Sequence, residues 1–285
     1  MKKTNYITSW PSLGAVCLSL VALPAWSQSS QTATTSSGTL SHVERAANLF
    51  NKELQSSDNQ KVGKVNNLIL DLESEHILYA VVNGDKGKVA VPPQIFGDTS
   101  GNTIRVNADK AKIEAAPQFT GDIDKPEELG QASFIAKVYE HFGQNEWWKG
   151  STPANQGTFH NVHKLNDLIG MKVENVNNQT MGKVNNLVVD MPTGRAMYVV
   201  LGPDSSLNLG NNLYALPPDA LTLSSDKKHL STGIDQQKLA SAPHFDKNSW
   251  PNLTDANFAS QVYQYYGKQA WFGNTGGTSL QPTGR

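Results

Sequence analysis

The sequence predicts a mainly β protein made of two tandem small β-barrels, each followed by a short C-terminal α-helix. Three observations carry that expectation. The hexapeptide GKVNNL occurs at residues 63–68 and again at 182–187, too long a coincidence for a chain of 285 residues. Within each copy, short apolar runs rich in Val, Ile, Leu and Tyr are separated by turn sequences, as in strands. Near the end of each copy the apolar spacing becomes helical and meets a stopping glycine, Gly143 or Gly267.

In chain order, residues 1–27 read as a cleavable signal peptide. Lys2 and Lys3 precede an apolar run from Leu13 to Leu23, which is too short to span a bilayer, and Ala25-Trp26-Ser27 supplies small residues for cleavage after Ser27. Cleavage removes Cys17, the single cysteine, so disulfides and thiolate metal sites are excluded from the mature chain. The formal net charge of −1 becomes −3, with 22 basic against 25 acidic side chains. A weak charge of that sign favours neither nucleic acid nor an anionic membrane. Residues 28–40 (QSSQTATTSSGTL) are too polar to repay ordering and read as a disordered linker.

The two copies align at an offset of 119, which brings Gly63 onto Gly182, Asp71 onto Asp190 and Tyr79 onto Tyr198. Later matches include Val91-Pro92-Pro93 with Leu216-Pro217-Pro218, Ala116-Pro117 with Ala242-Pro243, and Phe134 to Trp147 with Phe258 to Trp271. These set repeat 1 at 41–149 with its tail helix and repeat 2 at 160–273 with its own. A linker lies between them at 150–159 and a disordered tail follows at 274–285.

In VNNLILDL, Val65 is three residues before Leu68, out of step with a period of two. That slip predicts a β-bulge at Asn66-Asn67, with Gly63 supplying a turn or a positive φ just ahead of it. Asp71 and Asp190 stand at strand ends and should cap the following turns. The Pro-Pro pairs should end strands. Phe134-Ile135-Val138-Phe142 and Phe258-Ala259-Val262-Tyr266 form narrow apolar stripes that should lie on their own barrels.

Leu168-Ile169-Gly170-Met171-Lys172-Val173, the following Gly182 to Asp190, the Thr193-Gly194 turn, the strand Tyr198-Val199-Val200 and Leu216-Pro217-Pro218 together resemble the PRC-barrel domain. Repeat 1 departs at Phe50-Asn51-Lys52-Glu53 and at Ser74-Glu75. The resemblance spans about Val43 to Ala116 and Val162 to Ala242, leaving the tail helices outside. That domain is similar to the cytoplasmic part of the photosynthetic reaction centre H subunit and to the C-terminal domain of a ribosome maturation factor. The resemblance implies a barrel that binds other macromolecules and brings no catalytic residues.

No Gly-x-Ser-x-Gly elbow, His-Glu-x-x-His helix or Gly-rich phosphate loop occurs, so no enzyme chemistry is expected. His160 and His163 have the spacing of two ligands on one helical face, but they follow the linker and face Ser41 and Glu44 in the other copy; a solvated segment is the expectation and no metal or cofactor is assigned. The aromatic pairs Trp147-Trp148 and Trp271-Phe272 either pin the tail helices or turn one ring each outward as a contact surface. They are the candidate binding residues. The expected function is an exported, non-enzymatic adaptor or scaffold in the periplasm or outside the cell. Its expected partner is a protein, itself included, and the mature chain has no membrane span. The alternative is a small-molecule or ion binder using the cleft between the barrels.

Overall fold

A computed structural model describes residues 40, 42–119, 125–149 and 157–272. The signal peptide, nearly all of the 28–40 linker, most of the 150–159 linker and the C-terminal tail fall outside those residues.

The first copy contains β1 (Val43–Arg45), β2 (Glu53–Gln55), β3 (Lys61–Asp71), β4 (His76–Gly84), β5 (Gly87–Val91), β6 (Phe96–Ser100) and β7 (Thr103–Val106). Three helices follow: α1 (Lys110–Glu114), α2 (Pro126–Leu129) and the tail helix α3 (Ala132–Phe142). The second copy repeats this plan with β8 (Val162–Lys164), α4 (Leu165–Leu168), β9 (Lys172–Asn175), β10 (Thr180–Asp190), β11 (Arg195–Pro203), β12 (Asn212–Leu216), β13 (Leu221–Leu223) and β14 (His229–Thr232). It closes with α5 (Gln236–Ala240), β15 (His244–Asp246) and the tail helix α6 (Ala256–Tyr265).

The fold is mainly β, as expected, but the strands do not close into two separate barrels. They form one sheet whose main path runs β13-β14-β9-β10-β11-β4-β3-β2-β7-β6. The path reads the same from either end once each strand is replaced by its counterpart. Its middle is the pairing of Arg195 with His76, positions that correspond at the offset of 119.

The opening strand of each copy is exchanged. β1 pairs with β10 of the second copy, Val43 opposite Asp190, and β8 pairs with β3 of the first, Val162 opposite Asp71. An edge that a closed barrel would satisfy internally is thus satisfied by the other copy. The described residues of both copies cluster as one unit, and one buried apolar cluster runs through both copies, from Leu54 and Leu68 to Leu187 and Leu230.

The predicted bulges are present. Pairing skips from Val65 to Asn67 against β4, and from Val184 to Asn186 against β11, leaving Asn66 and Asn185 as the extra residues. Gly63 is neither in a turn nor at positive φ; it lies inside β3, where a Cβ would sit 2.1 Å from the Asn83 carbonyl oxygen. Gly182 has the same close approach, 2.1 Å to the Gly202 oxygen, together with φ of 147°. Close strand contact at the bulge therefore requires this glycine.

The other local expectations match. β5 stops at Val91 and β12 at Leu216, immediately before each Pro-Pro pair. Helix α3 ends on Gly143 at φ 68°, and Gly267 takes φ 70° after α6. Each tail helix lies on its own copy: α3 on β4 and β5, α6 on β11 and β12. The stripes hold, with Ile135, Val138 and Phe142 buried on α3 and Ala259 and Val262 on α6.

Candidate functional site: the junction of the two repeats

The second asparagine of each hexapeptide builds the junction. Following the bulge, the Asn67 side chain turns across to the other copy, where its Oδ1 accepts the Asn166 backbone N–H at 3.2 Å. Asn186 does the same in reverse, accepting the Ala47 N–H at 3.3 Å. Both asparagines are buried and each also accepts from the N–H of its next residue. The amide oxygen is satisfied twice by these partners, whereas an apolar residue would take that acceptor from a backbone donor of the opposite copy.

Asp71 and Asp190 cap their turns as expected. Asp71 Oδ2 accepts from the Ser74 hydroxyl at 2.6 Å, and Asp190 Oδ2 from the Thr193 hydroxyl at 2.6 Å. Burial raises the pKa of both carboxyls, against the lowering effect of those hydroxyl donors.

The turns so formed meet back to back. Ile77 N–H donates to the Gly194 oxygen and Ala196 N–H to the Glu75 oxygen, each at 2.8 Å. Gly194 takes φ 67° in the Thr-Gly turn, and its counterpart Glu75 takes φ 61°, a left-handed conformation uncommon for a residue with a side chain. There Glu75 Oε2 accepts from Arg195 Nη2 and from the Tyr263 hydroxyl, both at 3.1 Å. Burial raises the Glu75 pKa, which the Arg195 charge opposes, and burial likewise lowers that of Arg195.

The tail aromatics complete the site. Arg195 lies over the Trp271 ring, 4.5 Å from its centre, and His76 stacks on Trp147 at 3.5 Å between ring centres. The same two positions thus carry a guanidinium on indole in one copy and an imidazole on indole in the other. Burial first and then the Arg195 charge lower the His76 pKa to about 3, so this ring is neutral at physiological pH. A cleft of about 340 Å³ opens beside the charged side and is lined by Glu73, Glu75, Arg195, Asp219, Lys268 and Trp271, among others. Lys268 pairs with Asp219 inside it.

Of the candidate aromatics, Trp148 and Phe272 are buried, at 2% and 7% exposure, and cannot present a surface. Trp147 and Trp271 are half-buried and held by the stacks just described. Adjacent rings do both face inward to a large extent, because each pair packs edge to face, at 5.3 Å for Trp147–Trp148 and 4.9 Å for Trp271–Phe272. The end of the expected linker is packed as well: Phe159 is 1% exposed and touches both Trp147 and Trp148.

His163 is not solvated as expected. It is 8% exposed, bonds Asn161 Oδ1 at 2.9 Å, and burial lowers its pKa to about 4. It lies on β8, paired opposite Leu70 of the first copy, and borders the β13–β14 turn of its own repeat. Among the described residues no group of three or more His, Cys, Asp or Glu could hold a metal. Ser224 and Lys227 have the Ser-x-x-Lys spacing of some nucleophile pairs, but they lie in a hairpin turn where the Ser224 hydroxyl bonds Asp226 at 2.6 Å.

Sequence reasoning missed Glu75 and Arg195. The only signal was their mismatch with Gly194 and His76 at aligned positions.

The PRC-barrel domain model matches residues 41–113 and 160–231, both copies and just over half of the chain. This chain belongs to the PRC-barrel family. No curated protein matches it. The matched ranges stop before the tail helices, so both aromatic stacks join a residue of a PRC-barrel domain, His76 or Arg195, to a tryptophan beyond it. Among the described residues of this tandem PRC-barrel protein, no helix is long and apolar enough to cross a membrane.

Proposed function

We propose that this tandem PRC-barrel protein is exported and acts as a non-catalytic, protein-binding adaptor in the cell envelope. The reciprocal exchange of β1 and β8 carries the reading, because it makes the two repeats one continuous body able to hold binding surfaces at a set spacing. The residues that recur between the copies are used internally. Asn67 and Asn186 join the repeats, and Asp71 and Asp190 hold turns. Export rests on Lys2, Lys3, the apolar run and Ala25 to Ser27.

Crosslinking of the mature protein in envelope extracts, alongside a Trp147→Ser/Trp271→Ser variant, tests the adaptor role. One partner, or a second copy of the chain, should be recovered with the wild type and lost with the variant. Failure to recover either, or equal recovery by both proteins, counts against it. Fractionation of cells carrying the full chain should find a form shortened by the leader outside the cytoplasm; an unprocessed cytoplasmic chain would overturn export.

A second reading, a small-molecule or ion binder, is favoured by the junction cleft of about 340 Å³. It requires a ligand-dependent rise in melting temperature that Arg195→Gln removes. A broad panel of metabolites and metal ions without a shift sinks it.

A further inference from the structure

A second cleft, about 290 Å³, lies in the second repeat. One wall comes from the segment leading into β8, with Thr158, Phe159, Asn161 and His163. The other is the β13–β14 turn, with Ser225 and Lys227. No lining residue is acidic. The Lys227 charge is near enough to His163 to help lower its pKa, so a cation and a buried imidazole face one space. Asp167 acts on the same ring in the opposite sense. Asp226, next to Lys227 in sequence, is engaged within its turn by the Ser224 hydroxyl and the Lys228 N–H.

The duplication supplies an internal comparison. At the offset of 119, Asn161 corresponds to His42 and His163 to Glu44. In the first copy His42 bonds Asp98 on β6 at 2.8 Å, and Glu44 pairs with Lys52 at 3.8 Å. Where the first repeat places Glu44 and the His42–Asp98 pair, the second has His163 and Asn161 beside a cleft lined by Lys227 and hydroxyls, with Asp167 and Asp226 outside its lining. A positive, partly apolar recess with few convergent donors suits a compact anion.

We propose that this cleft binds a small oxyanion, a carboxylate or phosphate on a compact organic body, with Lys227 supplying charge, Thr158 and Ser225 hydroxyl donors, and Phe159 an apolar floor. The site is distinct from the junction cleft and independent of the adaptor reading.

Calorimetric titration of the mature protein with inorganic phosphate and with acetate, at constant ionic strength, tests it. At least one probe should saturate a single site, and which one does identifies the favoured group. Lys227 sits at φ 58°, a conformation that asparagine tolerates, so Lys227→Asn removes the charge with the turn retained. That variant should bind about tenfold more weakly, the loss expected for one charge-assisted contact. Lys86→Asn, on the exposed β4–β5 turn of the first copy, should bind like the wild type. Occupancy should also move the His163 titration, followed by NMR, upward from about 4, since a nearby anion favours the imidazolium. Absence of saturation by either probe overturns the proposal. So does equal affinity in Lys227→Asn, or a His163 titration unmoved at saturation.

Discussion

Asn67 and Asn186 make the same bond in opposite directions, each reaching from its own bulge to a backbone N–H of the other repeat, at Asn166 and Ala47. Replacing either by alanine removes that cross-repeat bond and takes the same acceptor from the buried N–H of Leu68 or Leu187. We expect each substitution to cost about 1–3 kcal/mol in urea unfolding, and unchanged midpoints would show that the junction is held elsewhere.

The exchanged strands predict that the two halves stay together without the peptide connection. A protease site inserted after Thr152 and cleaved should leave residues before and after it co-eluting on size exclusion. They should separate only in denaturant. Halves that part under native conditions would contradict the pairing of β1 with β10 and of β8 with β3.

Gly63→Ala should be among the most damaging single changes in the sheet. The added methyl carbon meets a backbone carbonyl at 2.1 Å, and backbone cannot rotate away as a side chain can. A loss above about 2 kcal/mol is expected, whereas Gly233→Ala, with open space around it and no positive φ, should change stability by less than about 1 kcal/mol. Thermal unfolding of the two variants gives the comparison.

Acid should destabilise the fold through two histidines. His76 and His163 titrate near 3 and 4 in the folded chain against 6.5 for the free side chain, so the unfolded chain binds the extra protons. The histidine contribution is complete above pH 6.5 and falls as the pH drops through 6.5 toward 4, by about 1.4 kcal/mol per pH unit for each ring. Asp71, Glu75 and Asp190 have raised values and act in the opposite sense, losing stability as the pH rises through the carboxyl range. Denaturation midpoints of the wild type and His163→Gln between pH 4 and 7 test this; the variant should show the shallower acid loss.

Trp148→Ala should cost about 3–5 kcal/mol, as a buried ring packed edge to face on Tyr139 and near Phe159. Val176→Ser, on an exposed turn, should stay within about 0.5 kcal/mol. Equal effects in guanidinium unfolding would place Trp148 at the surface.

The duplication was legible from repeated letters, and the bulges, the strand ends at Pro92 and Pro217, and the capping aspartates because each is written in neighbouring residues. Strand exchange was not. The three residues Val43-Glu44-Arg45 carry a strand pattern, but alternation fixes which side chains face inward and says nothing about which chain segment lies alongside. For the same reason Gly63 looked like a turn residue until the Asn83 carbonyl was found against it. His163 and Phe159 looked solvated because the letters before them are polar, while Phe159 is covered by Trp147 and Trp148 of the first repeat and His163 lies on a strand paired with that repeat. The junction pair Glu75 and Arg195 was visible only as a departure from the repeat.

The central pairing of His76 with Arg195 bears on how such a molecule can change over time. In a symmetric association of two identical chains, every substitution at the axis arrives twice and must tolerate its own image. Fusion into a single polypeptide removes that restriction. A carboxylate at 75 can meet a guanidinium at 195 while glycine and imidazole occupy the mirrored places, so one side of the axis becomes ionic and the other stays neutral. With both halves in one chain, the scaffold has two independently adjustable faces.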